Sequence, residues 1–248
     1  MPSPLIPPSI VRRAIAAWCA TFVAAACAAA APRAAPSPRQ APRTERVVAS
    51  RSEAPSADYA RLELGVLEEL NRARTDPARY AATLEQMLPF YDGKILRRPG
   101  DDGAVRTVEG ASAVREAIRV LRALAPVPPL AYSPGLSRGA RDHVRDQGAS
   151  GRTGHTGADG SHASERVERY GHWDVALSEN IAYGPSTARD VVAGLLVDDG
   201  VADRGHRRNA FDPTVHVAGV ACGPHPRYRT MCVIVHAGVF EEARSSAP

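Results

Sequence analysis

The feature that most constrains the fold is the order of the periodicities. Apolar residues recur at helical spacing through most of the chain, and β-branched alternation arrives late. Leu62, Val66 and Leu70, with Leu67 beside them, predict an amphipathic first helix. Asp76-Pro77 predicts the start of a second, because Asp accepts from the free N–H groups of a first turn and Pro has none to lose. Tyr80, Leu84, Met87 and Leu88 form its apolar side, and Val114, Ala117, Ile118, Leu121 and Leu124 form a third stripe, stopped by Pro126. Ser133-Pro134 opens a helix to about Gln147, with Leu136, Ala140 and Val144 inward and His143 at its margin. A shorter helix is expected over 161–170, and Thr187 with Asp190 starts one running to Gly200. Strands are predicted at 180–183, 215–222 and 230–240, and residues 89–110 as a long loop without regular structure, a candidate cover for a groove. Helices first and strands late exclude a βαβ repeat and predict an α+β fold with helices on a small antiparallel sheet.

The N-terminal quarter reads differently. Arg12 and Arg13 precede an uncharged, Ala-rich run over 14–31, the order of an export signal, and the run is too weakly apolar for a membrane span. Cleavage at a small-x-small site near Ala28 to Ala31 gives a soluble product. Val23-Ala24-Ala25-Ala26-Cys27 resembles a lipobox, and lipidation of Cys27 would attach the mature protein to a membrane. Residues 32–57, rich in Ala, Pro, Ser and Arg, lack the apolar surface to offset the entropy of ordering and are expected to form a disordered tether. The globular domain then occupies 58–242, with 243–248 as a tail. The chain's charge of +4 lies in the leader and tether, since Arg12 and Arg13 carry two positive charges and the tether a net three, leaving one net negative charge for the rest. A nucleic-acid binder concentrates basic charge on its domain, so that class is excluded. The basic tether suits anionic phospholipid or cell-wall polymer.

With Cys19 and Cys27 in the export segment, the domain retains Cys222 and Cys232 on two predicted strands joined by a short Gly- and Pro-containing turn. Paired as a hairpin, these strands can bring the thiols to disulfide distance, which an exported compartment permits; two free thiols packed as small hydrophobes are the alternative.

Polar residues that suggest chemistry sit in four short segments: Gly154-His155-Thr156-Gly157-Ala158-Asp159-Gly160-Ser161, Ser178-Glu179-Asn180-Ile181-Ala182-Tyr183-Gly184, Asp198-Asp199-Gly200, and Arg204-Gly205-His206-Arg207-Arg208-Asn209. In this order the segments resemble the CAP superfamily of secreted proteins, which groups cysteine-rich secretory proteins, venom antigens and plant pathogenesis-related proteins, and within it a bacterial-type branch. The similarity runs from about Leu62 to Phe240. It implies a three-layer α-β-α sandwich, with His155, His206 and Glu179 lining a central cavity. Where animal and plant members carry Trp-x-x-Glu, this chain has Leu195-Leu196-Val197-Asp198, so Asp198 stands for that glutamate, with Asp199 as the competing choice.

Two neutral imidazoles and one or two carboxylates can hold a zinc-like ion, with His155 and His206 as ligands; the same set can close into a hydrogen-bond network. His143 precedes Asp146 by three residues on a helix, so the two can bond and His143 can line the cavity. Arg207 and Arg208 read as solvated charge, and Asp159-Gly160-Ser161 as a turn into a helix cap. His162, His172, His216, His225 and His236 have no motif context. There is no Gly-x-Ser-x-Gly elbow, His-Glu-x-x-His or phosphate-cradling loop, which argues against the common hydrolase and nucleotide-binding classes.

The function expected first is an exported, non-enzymatic module that binds a lipid or envelope ligand, with an optional divalent metal. The alternatives are a zinc-assisted peptidase or esterase with Glu179 as general base, and an envelope scaffold or adhesin. The anchoring expectation is directly testable. Fatty-acid labelling of the expressed chain should mark the parent and not Cys27→Ser, whereas equal labelling of both, or of neither, rejects the lipid anchor.

Overall fold

The structure, a computed structural model, describes residues 57–98 and 103–244. The predicted export segment with Arg12, Arg13, Cys19 and Cys27, and the tether up to residue 56, lie outside the described residues. The chain opens with helices α1 (Ala57–Thr75) and α2 (Pro77–Glu85) and a 3-10 turn at Leu88–Phe90. Three short strands follow, β1 (Tyr91–Asp92), β2 (Ile95–Leu96) and β3 (Val105–Arg106), then α3 (Ala111–Ala123), β4 (Ala131–Tyr132), α4 (Pro134–Ser150) and α5 (Ala163–Glu168). The remainder is β5 (Gly171–Tyr183), α6 (Ala188–Val197), α7 (Gly205–Ala210), β6 (Val217–His225) and β7 (Arg229–Glu242).

The helix starts follow the sequence chemistry. Asp76 accepts from the Arg79 N–H at 3.0 Å, Ser133 from Leu136 at 3.1 Å and Thr187 from Asp190 at 3.1 Å, each satisfying a first-turn donor that the helix itself cannot.

The main sheet has the order β4-β6-β7-β5; β7 pairs antiparallel with both β5 and β6, while β4 runs parallel to β6. Both faces of this sheet are covered. Val220, Cys222, Cys232 and Ile234 pack into one core with the apolar stripes of α1, α2, α3 and α6. Their neighbours Ala221, Met231, Val233 and Val235 pack into the other with Leu136, Ala140 and Val144 of α4 and Val167 of α5. Side chains two apart share a face, so one strand feeds both cores and the result is an α-β-α sandwich of three layers. Gly219 lets α4 lie directly on β6, since a Cβ there would run into the backbone of Leu136 and Ser137. Cys222 and Cys232 are register partners with Cα atoms 4.1 Å apart and are joined by a disulfide, which at this loop size contributes about 2–4 kcal/mol.

Some expectations need correction. The segment over 89–110 is not without regular structure, because β1, β2 and β3 form a small antiparallel sheet. Two-residue strands are too short to show alternation in a sequence. β5 begins at Gly171 rather than near Asn180. Its first half, Gly-His-Trp-Asp-Val-Ala, is irregular because the pairing with β7 shifts between Asp174 and Leu177 and Val175 takes φ 74°. The helix expected to reach Gly200 stops at Val197, where Asp198 turns left-handed at φ 55°, and the one expected over 161–170 spans only Ala163–Glu168.

Two buried cationic or titratable groups tie the layers. Arg74, fully buried at the end of α1, donates to the carbonyls of Pro128 (2.9 Å), Ala210 (2.7 Å), Asp212 (3.2 Å) and Val215 (3.1 Å), anchoring the irregular segments that flank β4 and α7. His236 on β7 is also fully buried, with Nδ1 3.3 Å from the Ser178 hydroxyl. Burial, reinforced by the Arg74 cation, pushes its pKa down to about 4 from 6.5. The unfolded chain therefore takes up this proton at a higher pH than the folded one. The stability held by neutral His236 is fully present above pH 6.5 and is lost as pH falls toward 4, an effect of about 3 kcal/mol. Urea melts of the parent should weaken across that window, and those of His236→Gln should show a flatter profile.

Candidate functional site

β5 is the edge strand beyond β7, and it carries Glu179 and Asn180 side by side on opposite faces. Each face builds one imidazole–carboxylate pair.

On the α4 and α5 face, the Glu179 side chain is only 4% exposed and both of its oxygens are committed. Oε1 accepts from His155 Nδ1 at 2.9 Å and Oε2 from Arg166 Nη2 at 2.7 Å. Arg166, on the inward side of α5, also donates through Nη1 to the carbonyls of Ser161 (2.8 Å) and His155 (3.3 Å), so one guanidinium fixes the acid and the turn that bears the histidine. Burial acts to raise the Glu179 pKa, but the His155 hydrogen bond and the Arg166 cation outweigh it and hold the carboxyl below its ordinary range. The His155 side chain is 53% exposed. Because its Nδ1–H is donated to the carboxylate, its Nε2 carries the lone pair, and Nε2 has no hydrogen-bond partner among the described residues.

On the opposite face, His206 sits on α7, a short helix not predicted from the sequence. Its Nδ1 donates to Asp198 Oδ1 at 2.6 Å, while Asp198 Oδ2 accepts the backbone N–H groups of His206 (2.9 Å) and Arg207 (3.4 Å). The left-handed turn at Asp198 that ends α6 swings its carboxylate over the first turn of α7, where it satisfies free N–H groups and orients the ring together. Asn180 locks α7 onto β5, donating to the His206 carbonyl at 2.9 Å and accepting from Asn209 at 2.9 Å. Behind α7, Arg204 makes a two-pronged bond to Glu109 at 2.6 and 2.8 Å, which with the Gly200 N–H holds that carboxyl at about 2.

Asp198 is therefore the acid of the His206 pair. Asp199 points elsewhere, accepting from the backbone of Val108 (2.6 Å) and Glu109 (2.8 Å) to cap the approach to α3. His143 does not bond to Asp146: its Nε2 lies 2.8 Å from the Gly154 carbonyl, and Asp146 instead accepts from the Ala158 N–H at 3.0 Å. Its side chain is fully buried, and burial lowers its pKa. Arg207 is not solvated charge; it is buried against Glu116 at 2.7 and 2.8 Å, whereas Arg208 is exposed and pairs with Asp203. Asp159-Gly160-Ser161 is a turn, closed by Asp159 on the Ser161 N–H at 2.9 Å, as expected. The sequence reading missed Arg166, for which the only signal is its place beside Val167 on a short helix.

Among the described residues, no three His, Cys, Asp or Glu side chains gather closely enough to hold a metal ion. Zinc centres in proteins use at least three side-chain ligands. Here Glu179 and Asp198 occupy the outer position that orients an imidazole rather than the position of a ligand. The residues present thus offer two imidazoles on separate faces and do not fit a three-ligand zinc centre.

The family model described as "Cysteine-rich secretory protein family" (CAP) matches residues 115–236, which contain both pairs and the disulfide. No curated protein matches the sequence. Among solved structures, an extracellular protein containing an SCP domain from Bacillus anthracis is 20% identical with a TM-score of 0.37, matched over 45% of this chain and 34% of its own. An outer surface protein from Borrelia burgdorferi is 15% identical with a TM-score of 0.39, matched over 47% of this chain and 80% of its own. The match thus spans about a third of the first of these proteins.

Arg166 and Glu179 form a buried pair, and removing one partner strands the other in a low-dielectric setting. Arg166→Met should destabilise the domain by about 3–5 kcal/mol in chemical denaturation, and adding Glu179→Gln should recover part of the loss. Equal stability of Arg166→Met and the parent would show the pair to be dispensable.

Proposed function

We propose that this chain, which belongs over residues 115–236 to the CAP family, is an exported module that binds an envelope ligand without chemical conversion, and that His155 and His206 supply its fixed polar contacts. The observation that carries this reading is the commitment of both carboxylates. A general base needs a lone pair and a pKa near the working pH. Glu179 has one oxygen on His155, the other on Arg166, and a pKa held below its ordinary range, which makes it a poor proton acceptor for the hydrolytic alternative. The same commitments suit recognition, because each imidazole is oriented through Nδ1 and offers Nε2 as a preset hydrogen-bonding atom.

Export rests on the leader over residues 1–31, and membrane attachment on Cys27. Among the described residues no helix is long and apolar enough to cross a membrane. A lipid is the ligand class that the family resemblance implies. Zinc is not part of this reading, because imidazoles on separate faces of the sheet do not share one ion.

Calorimetry with zinc chloride and flotation with phosphatidylglycerol vesicles test the reading on the same preparation. The parent should bind the vesicles, and His155→Ala with His206→Ala should weaken that binding at a temperature where circular dichroism shows both variants still folded, although each melts lower because a buried carboxylate loses its imidazole; zinc should show no stoichiometric uptake at neutral pH. Stoichiometric zinc abolished by either substitution, together with Glu179-dependent cleavage of an ester or peptide probe, would overturn the non-enzymatic reading in favour of a hydrolase.

A further inference from the structure

A cavity of about 370 Å³ lies where α1, α2 and the first turn of α6 meet, and none of its lining belongs to either imidazole pair. That volume falls within the range of small-molecule sites, roughly 300–1,000 Å³. Three guanidinium groups line it, from Arg72 on α1, Arg79 on α2 and Arg189 on α6. Against the two acids of the lining, Glu69 and Asp76, they leave one net positive charge.

The acids are spent on the protein itself. Glu69, only 5% exposed, accepts from the Tyr80 hydroxyl at 3.0 Å with one oxygen and from Arg72 with the other, and Asp76 caps α2 on the Arg79 N–H. The cations are less well matched. Arg72 divides its charge between Glu68 and Glu69, and Arg189 reaches a carboxylate, that of Glu69, only at 4.0 Å. The guanidinium of Arg79 has no acidic partner among the described residues, and the Thr83 hydroxyl on the same lining makes no hydrogen bond among them. Because the three cations come from three helices, they meet across one concave space rather than along one solvated face, and an anion between them relieves their mutual repulsion.

We propose that this cavity binds a phosphodiester, with Arg79 and Arg189 on its two free oxygens and Arg72 behind them. A guanidinium presents a planar fork of donors that matches phosphate oxygens, so two forks from different helices take the two oxygens from different sides. The diester's single negative charge balances the lining, whereas a phosphate monoester brings about −1.5 to −2 at neutral pH and sets its excess against Glu69 and Asp76. A carboxylate has the right charge, but its two oxygens satisfy one fork and leave the second cation unmatched.

Titrations by phosphorus NMR and calorimetry on the full chain, with glycerophosphoglycerol as the diester and inorganic phosphate, acetate and glycerol as counterparts, test the proposal. The diester should bind in the millimolar range, more tightly than phosphate or acetate, and glycerol should not bind. Loss of a charge-assisted hydrogen bond should make Arg79→Gln and Arg189→Gln each bind roughly tenfold more weakly. Both side chains are exposed, so the melting temperature should stay unchanged. Arg208→Gln, which removes an exposed charge outside the cavity, should bind as the parent does. So should His155→Ala and His206→Ala, which separates this proposal from the function proposed above. Displacement of the diester by phosphatidylglycerol vesicles assigns the group to a bilayer and its absence to a soluble ester, and the site stands in either case. No binding of the diester, equal affinity for phosphate or acetate, undiminished binding by Arg79→Gln, or an equal loss in Arg208→Gln overturns it.

Discussion

The burial of β7 on both faces is the constraint on which the remaining structure depends. Cys232 and Ile234 serve one core while Met231, Val233 and Val235 serve the other, so a slip of one residue would exchange the two sets and undo both layers. The disulfide between Cys222 and its register partner Cys232 fixes that alignment covalently at the hairpin end. Because β5 pairs with β7 along its length, it inherits the same alternation. Glu179, opposite Val235, faces α5, and Asn180, opposite Ile234, faces α7. The separation of the two imidazole pairs onto different faces is thus a consequence of strand geometry.

Each pair is then set by charges taken out of water, and the balance of costs explains the bonding. An isolated buried carboxylate is expensive, and Glu179 avoids that cost by accepting from a cation and an imidazole at once. Asp198 reaches the same end with two backbone N–H groups and His206. Arg74 is the converse case, a buried cation satisfied by four carbonyls; replacing any of the segments that supply them would leave donors unpaired, so it holds the chain near Ala210 and Val215 in one arrangement. Through that clamp the end of α1 helps to place α7 and with it His206.

The helical stripes, three N-caps and the late strands were legible in the sequence because they follow from periodicity and local chemistry, which neighbouring residues encode. The motif histidines were legible too, and the structure gives each a carboxylate partner. What escaped depends on distant partners. The choice of Asp198 over Asp199 turns on one left-handed residue that redirects the two side chains, one toward α7 and the other toward Val108, and nothing local forces it. Arg207 and Arg208 are adjacent and chemically identical, yet one is buried on Glu116, which lies ninety-one positions away in sequence, and the other is exposed. Arg166 is the extreme case: its importance comes from three contacts made on two different segments, and a lone Arg on a short helix announces none of them. The three short strands over 91–106 were lost because two residues cannot express a period.

Gly154 shows how closely the two polar regions on the α4 face are joined. Its carbonyl accepts from His143 Nε2 and from Gln147 Nε2 at 2.6 Å, its N–H donates to the Tyr183 hydroxyl at 3.0 Å, and Tyr183 in turn donates to Gln147 at 2.6 Å. It holds φ at 101°, a conformation open to glycine at little cost, so the backbone can turn His155 toward Glu179 directly after making these bonds. His155 and His143 are therefore fixed by neighbouring atoms of one turn, and Arg166 reaches the same turn through the His155 and Ser161 carbonyls while it holds Glu179 with Nη2. A displacement of that turn acts on the same rigid guanidinium that anchors Glu179, so the turn and the Glu179 pair are coupled through one charged plane.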